Sequence, residues 1–215
     1  GNFQQLGDAL SFSAVAPHET WLTGSAAQTV SFEDPGYGST ASHFGTLYLG
    51  QTGTQITQLL TDVFVNGAIE TGAIATSNHV VVGSGQRMRA QGTDIDKLTF
   101  DNVRFRLDDG LSTLAIDTLD FINQDPAAVQ FEIARASGTV AIGRLTFATP
   151  PTTGRYLRVE DLDGVANGVL TVNITTPSPT SNGGFLQVLP PAVVNGWTNA
   201  TFRWTGNAGS SLWTN

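Results

Sequence analysis

Apolar and polar residues alternate along most of the chain, in short segments broken by Gly, Asn, Asp and Pro. Period-two alternation is the mark of a β-strand with one buried face. It predicts strands over residues 9–15, 29–32, 45–49, 63–65, 79–82, 98–100, 103–107, 114–121, 129–133, 139–147, 156–159, 169–174, 185–189 and 200–204. Helical spacing is scarce. Ile56, Leu59, Leu60 and Val63 fit one helical face, but they lie in a Thr-rich stretch, so a strand and a short helical turn both remain open there. Strands recurring every 8–15 residues with no helix between them predict an all-β protein and argue against a βαβ fold.

One pattern repeats. Ile95, Leu98 and Phe100 match Ile116, Leu119 and Phe121, and both sets match Ile142, Leu145 and Phe147. The shared template is Ile-x-x-Leu-x-Phe, at offsets of 21 and 26 residues. Each copy precedes a second alternating segment: Val103, Phe105, Leu107; then Val129, Phe131, Ile133; then Tyr156 and Val159. A period of about 20–30 residues suits one coil of a solenoid, whose inward face is buried only when coils stack. The expected fold is therefore a parallel β-solenoid, β-helix-like. An antiparallel β-sandwich is the alternative. In it, residues 131–136 and 139–143 would form a hairpin about Ser137-Gly138. Residues 1–175 form the expected main β domain, with a soft internal boundary near residues 83–85. Residues 176–184 read as a linker, and residues 185–215 as the start of a following repeat or a C-terminal β segment.

The 215 residues are enough to bury a sizeable core without covalent staples. There is no cysteine, which excludes disulfides, zinc–thiolate sites and thiol catalysis. Charged residues make up only 13% of the chain, and the net charge is −8. Nucleic acid, which demands a basic face, is not an expected partner. No run of about 18 apolar residues occurs, so no membrane span is expected in this stretch. Charge is also uneven. Residues 1–85 hold no Lys or Arg, and nine of the ten positive residues fall between Arg87 and Arg158. Low charge with abundant Gly, Thr, Ser, Asn and Val suits an extended extracellular β protein. The chain opens Gly1-Asn2-Phe3 without an initiator methionine and reads as a piece of a longer protein.

The C-terminal residues carry a resemblance. Trp204, Gly206, Ser210, Ser211 and Trp213 are spaced like the opening of the autotransporter-associated repeat of large bacterial surface proteins. The similarity covers about 12 residues, and the downstream Asn-Trp of the repeat is absent. The resemblance implies a β-solenoid, cell-surface or secreted protein, often adhesive and usually without catalysis in its repeats.

Candidate chemistry is sparse. Asp161, Asp163 and Asn167 set two carboxylates and an amide around an Asp-x-Asp-Gly turn. Calcium is therefore the one candidate cofactor, although only part of its oxygen set is present. The same residues equally make a plain turn. Three acidic pairs, Asp94/Asp96, Asp108/Asp109 and Asp117/Asp120, are of the type used in glycoside hydrolysis, or else solvated strand-face residues. His18, His43 and His79 have no metal-ligand spacing, and no nucleophile elbow or phosphate loop occurs. Trp21, Tyr37, Trp197, Trp204 and Trp213 are the aromatics placed nearest loops. Exposed, they would stack on sugar rings. Otherwise they pack in the core or across strands.

These features lead to the expectation of a non-enzymatic structural or adhesive segment of a large bacterial cell-surface or secreted protein. Its partner would be a surface glycan or a protein, with self-association through the chain ends. An extracellular carbohydrate-binding or carbohydrate-active β protein, and a viral fibre segment, are the alternatives.

Overall fold

The computed structural model describes residues 2–7, 12–15, 17–51, 56–72, 80–83, 85–110, 113–125, 128–148, 156–164, 168–176, 185–197 and 201–202. They form seventeen strands: β1 (Phe3–Gln4), β2 (Glu19–Gly24), β3 (Gln28–Ser31), β4 (Thr46–Gln51), β5 (Ile56–Leu59), β6 (Val63–Thr71), β7 (Val80–Gly83), β8 (Arg87–Asp101), β9 (Arg104–Leu107), β10 (Leu114–Ile122), β11 (Phe131–Arg135), β12 (Thr139–Phe147), β13 (Leu157–Asp161), β14 (Thr171–Thr176), β15 (Phe185–Leu189), β16 (Val193–Asn195) and β17 (Thr201–Phe202). Among the described residues every strand pairing is parallel, and nearly all skip one strand in sequence. This is a β-solenoid of about six turns.

The pairings resolve into three ladders, one per face. The first face stacks the leading ends of β6 and β8 and then β9, β11, β13, β15 and β17. The second runs from β2 through β4, β6, β8, β10, β12 and β14 to β16. The third stacks β1, β3, β5, β7 and the trailing ends of β8, β10 and β12. Strand β8, 15 residues long, takes part in all three.

The repeated template falls into register. Ile95, Ile116, Ile142 and Ile174 lie on successive rungs, as do Leu98, Leu119 and Leu145, and Phe100, Phe121 and Phe147. All are buried. Phe100 packs 5.4 Å from Phe121, and Phe121 packs 5.1 Å from Phe147. Each phenyl also meets the aromatic that opens the next turn: Phe105, Phe131 and Tyr156, at 5.3, 5.8 and 4.8 Å. Parallel rungs about 4.8 Å apart bring identical side chains into contact, so each turn buries the face its neighbour exposes. Phe3, Phe12, Phe32 and Phe44 form a phenyl cluster near the N-terminal end of the same core, with centroids 4.9–6.0 Å apart.

The hairpin of the sandwich alternative does not form. Phe131–Arg135 pairs with β9 and β13 on the first face, while Thr139–Phe147 pairs with β10 and β14 on the second. Ser137-Gly138 is a corner between faces, and Gly138 adopts φ +100°. The open question at residues 56–64 resolves as strand β5, a bend, and strand β6. Corners also explain two special residues. Asn102 and Asn123 follow register partners Asp101 and Ile122 and both sit in the left-handed region, at φ 55° and 51°. Asparagine tolerates that conformation. At the corner within β12, a Cβ on Gly143 would lie 2.6 Å from the Asp117 carbonyl oxygen.

Candidate functional site

Outward positions of the first face carry five of the seven described arginines: Arg87, Arg89, Arg104, Arg106 and Arg158. On successive rungs the outward column reads Phe64, Arg89, Arg106, Glu132, Arg158 and Gln187. Glu132 pairs with the arginines on either side of it, while the adjacent Arg89 and Arg106 are joined through a carboxylate outside the column. Asp108, just past β9, accepts two bonds from Arg89, Nε to Oδ2 at 2.9 Å and Nη2 to Oδ1 at 2.8 Å. It also accepts one from Arg106 Nε at 2.6 Å. Arg106 Nη1 reaches Glu132 at 3.0 Å, and Arg158 bridges Glu132 at 3.2 Å and Glu160 at 2.8 Å. Tyr37 closes the network, donating its hydroxyl to Asp108 Oδ2 at 2.9 Å. Its ring lies edge-on to Phe64, 5.0 Å away, and the Arg89 guanidinium sits over both rings.

These contacts set the local proton affinities. Burial alone would raise Asp108, but hydrogen bonds from Arg89 and Arg106, then the Arg89 charge and the Tyr37 hydroxyl, hold it below its ordinary value. Burial, and then the Asp108 carboxylate, push Tyr37 well above the usual tyrosine range, so it stays a hydrogen-bond donor. Arg135, buried behind this face, donates through Nη1 to the Gln91 carbonyl at 3.1 Å.

Beside the network lies a two-lobed cleft. The first lobe, about 310 Å³, is lined by Arg87, Arg89, Arg104, Arg106, Val129 and Glu132. The second, about 290 Å³, shares Arg104 and is lined by Asn102, Asp125 and Gln130. Arg87 and Arg104 are register partners on β8 and β9. Unlike those of Arg89 and Arg106, neither guanidinium has a carboxylate partner among the described residues. Sequence patterning did not single out these arginines. The signal it holds is two Arg-x-Arg segments, Arg87/Arg89 and Arg104/Arg106, set 17 residues apart on adjacent rungs.

The sequence-predicted residues fall elsewhere. Asp161 is buried, and its carboxylate accepts the Leu170 N–H at 2.9 Å and the Gly164 N–H at 3.3 Å. Burial would raise its pKa, but hydrogen bonds from the Leu170, Gly164 and Asp163 backbone N–H groups lower it. It pins the ends of a corner loop. Asp163 is exposed, and Asn167 lies outside the described residues. No cluster of three metal-ligating acids or histidines occurs among the described residues.

Trp21 is 55% exposed within β2 and stacks on its register partner Tyr48, with centroids 3.8 Å apart. Its Nε1 donates to Glu19 at 3.0 Å. Trp197 is half-buried, 6.4 Å from Phe147. Trp204, Trp213 and His79 lie outside the described residues. The acidic pairs are held by separate neighbours. The Asp96 N–H donates to Thr71 Oγ1, Asp109 accepts from the Ala136 N–H, and Asp120 accepts from Thr146 Oγ1. Asp94 and Asp117 are exposed. His43 is buried, with Nδ1 2.9 Å from the Gly36 carbonyl oxygen.

The fold and this face together define a cysteine-free parallel β-solenoid with an arginine-lined cleft. Compared with family models, with curated proteins and with solved structures, the chain matches none of them.

Proposed function

We infer that this chain is a non-enzymatic structural or adhesive segment of a large bacterial cell-surface or secreted protein. The observation that carries the reading is the unbroken inward stack from turn to turn, which builds a stiff rod with polar outer faces and leaves ligand contact to its surface. The cysteine-free, charge-poor composition and the C-terminal resemblance to the autotransporter-associated repeat support the setting. Fractionation of the producing bacterium with an antibody to this chain tests it. The parent protein is expected in the cell envelope or the medium, and recovery in the cytosol would overturn the reading. On a broad polysaccharide panel the chain is expected to show no turnover. Turnover abolished by Asp117→Asn or Asp120→Asn would overturn the non-enzymatic part.

A further inference from the structure

We propose that the two-lobed cleft of the first face is a binding site for an acidic oligosaccharide, its oxyanion held by Arg87 and Arg104 and the neighbouring sugar's hydroxyls by Gln130 and Asp125. The inference deepens the adhesive reading and rests on it for its biological setting. It starts from two guanidinium-bearing residues one rung, about 4.8 Å, apart at their Cα atoms. Like charges so close repel. On the same face Arg89 and Arg106 are relieved of that repulsion by Asp108. Among the described residues no carboxylate pairs with the Arg87 or Arg104 guanidinium (Asp62 accepts only the Arg87 backbone N–H, at 2.8 Å), yet both line a cleft large enough for a sugar ring. A carboxylate or sulfate placed between them would supply the missing charge, and guanidinium groups take such oxyanions by paired hydrogen bonds.

The second lobe asks for the opposite chemistry. Gln130 is 1% exposed, and its Nε2 donates to the Asp125 and Ala128 carbonyls at 2.8 and 3.3 Å. Those bonds fix the amide orientation, so the group left without a partner is the acceptor Oε1. A buried acceptor without a donor is costly. An oxyanion cannot satisfy it, but a hydroxyl can. Asp125, in the same lobe, also accepts hydroxyls and repels a second anion. One anionic lobe partner followed by a hydroxyl-rich one describes a saccharide in which an acidic sugar adjoins a neutral sugar. A densely charged polyanion fits the second lobe badly.

Isothermal titration of the 215-residue chain tests this with four probes. These are hyaluronan tetrasaccharide (carboxylates only), a chondroitin sulfate tetrasaccharide, neutral chitotetraose, and inorganic sulfate. Binding of one or both acidic tetrasaccharides is expected, weakening as salt is raised. The preferred one identifies carboxylate or sulfate as the recognised group. Arg87→Ala with Arg104→Ala should weaken it by about tenfold or more, with the melting temperature unchanged. Arg104→Glu should abolish it, and Gln130→Met should weaken the tetrasaccharide but not inorganic sulfate. Equal binding of chitotetraose, no binding by any probe, binding untouched by the arginine changes, or a tetrasaccharide no tighter than sulfate would each overturn the proposal. None of these failures bears on where the parent protein resides, which fractionation decides separately.

Discussion

Asp108 shows how one carboxylate organises a face. It serves Tyr37, Arg89 and Arg106 together, from a position only 7% exposed. Asp108→Asn removes the charge those guanidinium groups share and should cost about 2 kcal/mol, read by urea denaturation. The pH dependence follows from the lowered pKa. The stability contributed by Asp108 is complete above its ordinary value of 3.8 and is lost as pH falls through the lower folded value. The native protein should therefore lose more melting temperature below pH 3.8 than Asp108→Asn does. Glu70 runs the other way. Burial, then Asp94 and Glu19, raise it above 4.5. Its ionisation opposes folding, so Glu70→Gln should be more stable than the native chain at neutral pH. That advantage should vanish as pH falls below 4.5. Asp161 belongs to the same scale. Its oxygens already accept backbone N–H groups, so millimolar calcium should leave the melting temperature where excess chelator leaves it. Asp161→Ala should lower stability by about 1–3 kcal/mol, measured by urea denaturation. A calcium-dependent rise lost in Asp163→Ala would reverse the assignment.

Among the elements, the stacked strands β8, β10 and β12 carry the middle of the core. Leu119 lies between Leu98 and Leu145 and is fully buried. Leu119→Ala opens a void bounded by leucines on both sides and should cost about 2–5 kcal/mol, visible as a lower denaturation midpoint with an unchanged slope. Here the sequence was most legible. Ile, Leu and Phe repeat at one register because each must cover the same residue type on the rung before. Where inward positions are small, the pattern fades. The leading half of β8 turns Met88, Ala90, Gly92 and Thr93 inward, and residues 87–94 drew no strand prediction. Strand β2 was missed because Leu22 is its one buried side chain, while Trp21, the residue that catches the eye, faces out. The arginine cleft was hidden for another reason. Its members come from separate turns, and only the 17-residue offset between register partners brings Arg87 beside Arg104.

For the molecule as a whole, the three faces differ in charge as well as position. Arginines gather on the first face in a chain of net charge −8, while Glu70 and Asp94 are neighbours on the second. A field of mixed sign on a rod orients it toward an anionic ligand on one side only. The stacked template has a further consequence, for the way the chain finds its fold. Register partners on the central turns are only 21 or 26 residues apart. The relative contact order is therefore about 0.1, low for a β protein, which favours rapid propagation once a first pair of turns has nucleated. The same likeness makes turns competitors. Strand β12 carries the side chains that β10 presents to β8, so an assembly that skips a turn would be almost as well packed and would have to unravel before productive growth resumed. Refolding from urea should thus be biphasic, with a slow phase that shrinks when Phe121 is replaced by Leu and the three phenyl positions cease to be interchangeable.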